Sequence, residues 1–144
     1  MTINMTQMMQ QMPTIERMNC KVIEESVNRC VIEMPLEGNS NHVGTAYAGA
    51  MFTLAEFPFG LMFLSRFGGM DKLYPVVGEM NIRYMAPAMT AVRLTVEISE
   101  EQWQQIETET LEKGKYKIVL PLELQDANGT VVAKTEATYF SIKS

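Results

Sequence analysis

The sequence predicts an α+β fold in which an antiparallel sheet of about six strands wraps around one long central helix. Three observations carry that expectation. Residues 41–67, NHVGTAYAGAMFTLAEFPFGLMFLSRF, are the longest apolar run of the chain, and a helix that is hydrophobic on nearly every face has to be buried. Downstream, residues 78–85, 91–98 and 116–124 alternate apolar and polar side chains at period two, the pattern of half-buried strands. Two strand-like segments precede the apolar run and four follow it, so one sheet and one helix are left to cover each other.

The totals narrow the function classes. A chain of 144 residues can bury one substantial core, so residues 1–144 read as a single domain with residues 1–18 as an N-terminal helical extension. The formal net charge of -5 gives no basic footprint for nucleic acid. Thirteen methionines suit core filling and, through their flexible thioethers, an adaptable apolar pocket. Cys20 and Cys30 lack the dense spacing of a disulfide scaffold. With His42 the only histidine and no C-x-x-C pair, no metal site is expected. Residues 1–18 carry no basic stretch followed by an apolar core, so they do not read as a signal peptide, and a cytoplasmic protein is the default. The central run is long enough to span a bilayer. Glu56, Pro58 and four glycines from Gly44 to Gly68 argue against a membrane segment.

In chain order, residues 2–18 are expected to form a short Met- and Gln-rich helix interrupted by Pro13. Residues 19–36 read as two strands joined around Ser26 to Asn28, with Cys30, Ile32 and Met34 on one face of the second. If the hairpin turns there, the two cysteines are not opposite each other. Residues 37–45 form a polar loop from which Thr45 or Asn41 can cap the helix. The helix is expected over residues 46–67 and stops at Gly68-Gly69, with Pro58 kinking it close to Glu56. Ser99 and Gln102 form a possible capping box for a short surface helix carrying Trp103 and Ile106. Residues 126–129, DANG, turn the chain into a last strand over residues 131–142. One sheet leaves the far side of its helix partly uncovered, which favours pairing with a second copy.

One acid, Glu56, interrupts the apolar run, and an ionisable group there needs a reason. Glu56 among Met51, Phe52, Phe57 and Phe59 is expected to have a raised pKa, suited to proton abstraction near neutral pH. The structural alternative is a glutamate that turns to solvent or pairs with an arginine such as Arg83. The helix start near Ala48 and Gly49 offers free amides that can act as an oxyanion hole.

The segment NHVGTAYAGAMFTLAE resembles the signature of the hotdog-fold thioesterases, in the branch that includes the PaaI-like enzymes. Those place an asparagine in the loop, a glycine-rich turn into the central helix, and an Asp or Glu fifteen residues after the asparagine, as Asn41 and Glu56 are spaced here. NIRYMAPA followed by a strand is also typical of the family. The resemblance implies hydrolysis of an acyl-CoA or acyl-ACP thioester without a cofactor. The Ala48 amide would hold the thioester oxygen, Asn41 the substrate or water, and Glu56 would serve as general base or as nucleophile. His42, Gly44, Tyr47 and Gly49 would lie along the substrate. It also implies a homodimer or a dimer of dimers whose active site lies at the dimer interface and can draw its loop and its acid from different subunits. Where many relatives carry His-Gly-Gly, this chain has Tyr47-Ala48-Gly49; alanine still donates its N–H. Two other classes stay open, a non-catalytic acyl-CoA-binding or regulatory protein and a dimerisation module without a ligand.

Overall fold

The structure, a computed structural model, describes residues 4–144. Its elements are α1 (Met5–Gln10), α2 (Pro13–Glu16), β1 (Lys21–Glu25), β2 (Arg29–Met34), α3 (Ala48–Phe67), β3 (Leu73–Tyr84), β4 (Val92–Glu97), α4 (Glu100–Lys113), β5 (Lys115–Asp126) and β6 (Val131–Lys143). The six strands form one antiparallel sheet in the order β1-β2-β4-β5-β6-β3. The sheet wraps α3, whose Leu54, Ala55, Phe59, Met62 and Phe63 are completely buried.

Several expectations shift by a few residues, each for a local reason. The N-terminal helix is two short helices, because Pro13 starts α2 instead of interrupting a longer one; a first-turn proline loses no hydrogen bond. Residues 2 and 3 of the expected helix lie outside the described residues. Met5, Met9, Ile15 and Met18 from this segment are buried in the main core. In the β1–β2 hairpin the Ser26 hydroxyl accepts from the Asn28 and Arg29 amides. Cys30 lies opposite Glu25, so it cannot pair with Cys20, and both thiols are free.

The central helix begins at Ala48, two residues later than expected, because the preceding amides are engaged elsewhere. The Ala46 N–H donates to the Ala88 carbonyl and the Tyr47 N–H to the Asn39 carbonyl, both at 2.8 Å. Neither Thr45 nor Asn41 caps α3; Tyr47 occupies the cap position without a side-chain hydrogen bond. At the other end Gly68 takes the left-handed conformation (φ 69°) and donates to the Leu64 carbonyl, the expected stop. The helix runs uninterrupted through Pro58.

Strand β3 starts at Leu73, five residues before its alternation becomes visible. Pro75 would break a central ladder, but β3 is an edge strand, where a missing N–H is tolerated. A bulge between Val77 and Glu79 resets the register, and the Phe140 ring lies over Gly78 at that point. Ser99 and Gln102 do make the capping box. Their helix does more than decorate the surface: Trp103 is fully buried, stacked on Phe59 with ring centroids 5.9 Å apart, and its indole N–H donates to the Val27 carbonyl. Strands β4 and β5 pair at three positions only, and Pro121 sits in the stretch of β5 that pairs with β6 but not with β4.

Candidate active site

Asn41 organises the loop before α3. Its side-chain carbonyl accepts from the Val43 and Thr45 amides at 3.0 and 3.1 Å, and its Nδ2 donates to the Thr45 hydroxyl at 2.8 Å. That closes the turn through Gly44, whose φ of 87° suits a residue without a side chain. The carbonyl is therefore committed to the loop, and one N–H of Nδ2 is left to offer a substrate. His42 is exposed in the same turn, with no hydrogen-bond partner among the described residues.

The loop delivers the chain to α3 with three amides in hand. The first helical amide with an acceptor is that of Met51, donating to the Tyr47 carbonyl at 3.0 Å. The N–H groups of Ala48, Gly49 and Ala50 have no acceptor among the described residues, so the positive end of the helix dipole is open. The Tyr47 ring lies along this first turn; a Cβ on Gly49 would come 2.6 Å from its Cε2. From the edge of the sheet the Tyr84 hydroxyl donates to the Ala48 carbonyl at 2.8 Å. Asn41, Ala46, Ala48, Met51 and Tyr84 line an open cleft of about 350 Å³ with the 85–87 segment.

Glu56 lies eight residues further along α3, about 12 Å up the helix axis. It is not enclosed by Met51, Phe57 and Phe59, as expected from the run of apolar neighbours: those three are buried in the core, while Glu56 is half-buried. It shares a stripe with Gly49, Phe52, Thr53, Gly60 and Leu64, all partly accessible and spaced at helical period. The carboxylate has neither a hydrogen bond nor an ion pair among the described residues, and Arg83 is not its partner. Desolvation pushes its pKa above the ordinary carboxylate value of 4.5. Behind it, the buried Tyr139 hydroxyl donates to the Glu56 backbone carbonyl at 2.8 Å. Burial, with the nearby carboxylate adding to it, pushes the Tyr139 phenol well above its usual range, so it stays a donor.

The sequence model of DUF4442, a domain of unknown function, matches residues 2–140. The chain belongs to the DUF4442 family. Among solved structures, a Pseudomonas aeruginosa protein of unknown function described as a "probable thioesterase" is 34% identical, with a TM-score of 0.89 over 100% of this chain and 99% of its own. A Chlorobaculum tepidum protein of unknown function is 20% identical with a TM-score of 0.84, over 97% of this chain and 93% of its own. Mouse thioesterase superfamily member 2 is 21% identical with a TM-score of 0.67, over 94% and 92%. No curated protein matches this DUF4442 chain. The chain has the hotdog fold, in agreement with the resemblance of its central segment.

Within this DUF4442 chain, Asn41 and Ala48 meet in the cleft, and Tyr47 and Gly49 lie beside it on the same helical turn. Gly44 and His42 stay on the outer side of the loop, exposed. Glu56 is outside the cleft, so the three residues expected to converge on one thioester do not converge within one chain. The sequence places Tyr84 in an alternating strand and within NIRYMAPA, the segment typical of the family it resembles, but gives it no role at the site. A larger groove of about 660 Å³ lies between β4 and β5, but it contains none of these residues, and its Arg29 and Arg93 are already paired with Glu24, Glu97 and Glu33. Among the described residues, no three His, Cys, Asp or Glu are grouped to hold a metal ion.

Proposed function

We propose that this chain hydrolyses acyl thioesters, with acyl-CoA or acyl-ACP as substrate. The observation that carries the reading is the pairing, on one helix, of unbonded N-terminal amides and an unpartnered, half-buried carboxylate two turns later. Developing negative charge on a thioester oxygen needs fixed donors, and Ala48 with its neighbours supplies them at the positive end of the dipole. Water needs a base, and Glu56, its proton affinity raised by desolvation, suits that task near neutral pH. Water gives a proton to Glu56 and attacks the carbonyl carbon; the tetrahedral oxyanion rests on the amides. Its collapse breaks the C–S bond, and the thiolate leaves with the proton from Glu56, giving a carboxylic acid and a free thiol.

The 12 Å between amide and acid favours an active site drawn from two copies of the chain, in a homodimer or dimer of dimers. Two surfaces support a second copy. Strand β3 is a twelve-residue edge with Val76, Val77 and Tyr84 40, 46 and 44% exposed, a liability when left bare. The opposite edge, β1, is five residues long, charged, and tied to α1 by the Met5 N–H donating to the Glu25 carboxylate. Phe52 and Gly60 on the Glu56 stripe offer the other uncovered surface.

The test is turnover of short-, medium- and long-chain acyl groups on CoA and on acyl carrier protein by the wild type and by Glu56→Gln. Hydrolysis by the wild type and a loss of at least about a hundredfold in Glu56→Gln are expected. Equal rates would remove Glu56 from the chemistry, and tight binding without turnover by either would favour a binding protein.

A further inference from the structure

The Tyr84 hydroxyl has a choice of partners, since Tyr84 is 44% exposed and water is at hand. It donates instead to the Ala48 carbonyl at 2.8 Å, across 36 residues of sequence. That carbonyl belongs to the same peptide unit as the Gly49 N–H, one of the amides left without an acceptor. A hydrogen bond accepted at the oxygen of a peptide draws electron density from its nitrogen and makes its N–H a stronger donor. The bond also fixes the tilt of a peptide in the first turn of a helix whose cap residue makes no side-chain bond to steady it.

We propose that Tyr84 is a positioning residue that polarises and orients the Ala48–Gly49 peptide, so that the Gly49 N–H serves beside the Ala48 N–H as a second donor to the thioester oxyanion. The inference rests on the hydrolase reading. Two further observations fit it. A phenol is protonated at neutral pH, and burial with the neighbouring Tyr47 moves the Tyr84 pKa further up, so its hydroxyl is a donor there. The Tyr47 ring lies against Gly49, in space that a side chain at 49 would claim.

The test compares wild type, Tyr84→Phe and, as control on the same strand away from the cleft, Tyr74→Phe. Phenylalanine keeps the ring and deletes only the donor. Removing a direct oxyanion donor costs about a hundredfold or more in kcat, and weakening one through its peptide costs less. The expected result for Tyr84→Phe is a fall in kcat of about tenfold with KM unchanged, while Tyr74→Phe behaves as wild type. In NMR spectra of the intact proteins, the Ala48 carbonyl carbon and Gly49 amide nitrogen resonances move in Tyr84→Phe. Unmoved resonances, or a raised KM at constant kcat, would overturn the inference while leaving the hydrolase reading intact. A wild type that turns over no acyl thioester would end both, and the panel with Glu56→Gln identifies that case on its own.

Discussion

In the proposed mechanism, the burial that suits Glu56 to act as a base also costs stability. Its folded-state pKa lies above the unfolded value of about 4.5 because burial disfavours the charge. Between that value and the raised one, the folded chain keeps a proton that the unfolded chain has released, so stability falls as pH rises through the window. Above it the cost of the buried charge is fully present. Glu56→Gln is therefore expected to raise the thermal midpoint at pH 7, with the gain shrinking below pH 4.5, while activity is lost; a lower midpoint at pH 7 would show that the carboxylate has a partner in solution. The two thiols contrast with it. Burial pushes Cys20 and Cys30 to about 12, so the thiolate fraction at pH 8 is minute. A thiol reagent is expected to label neither residue in the native protein and both after denaturation.

Elements were legible where their signals are local. The capping box at Ser99 and Gln102 was readable three residues apart, and Ser99→Ala is expected to cost about 1 kcal/mol in urea denaturation followed by the single tryptophan. Trp103 itself bridges α4 to Phe59 and Phe63, and Trp103→Ala is expected to cost about 3–5 kcal/mol by circular dichroism. The central helix was readable from its apolar run, but its start was not. Ala46 and Tyr47 look helical in sequence, and only their long-range bonds to Ala88 and Asn39 take them out of the helix. The first residues of β3 were hidden for a related reason: Pro75 and Gly78 weaken a strand reading in sequence and are tolerated at an edge, and position in a sheet is a property of the whole fold. The candidate site divides in the same way. Asn41, Ala48 and Glu56 lie within sixteen residues and are proposed from the resemblance of that one segment, whereas Tyr84 lies in NIRYMAPA without a role assigned to it, and only the fold brings its hydroxyl to Ala48.

At the scale of the whole molecule, the twelve-residue β3 edge and the half-covered stripe of α3 lie on elements in contact with each other, and the proposed second copy would cover both. A charge on the edge should prevent this: Val77→Asp is expected to elute as a folded monomer in size-exclusion chromatography and to lose activity without losing helix content. Mixed dimers test the central claim more directly. Ala48→Pro deletes the Ala48 N–H at the first helical position, where proline is well tolerated, and Glu56→Gln deletes the base. Each variant alone is expected to be inactive. Co-refolded in equal amounts, they form heterodimers in about half of all dimers, and a site drawing its amide and acid from different subunits is intact once in each, restoring about a quarter of wild-type turnover. A mixture as inactive as its parents, despite heterodimers seen by native mass spectrometry, would contradict a site built across two copies of the chain.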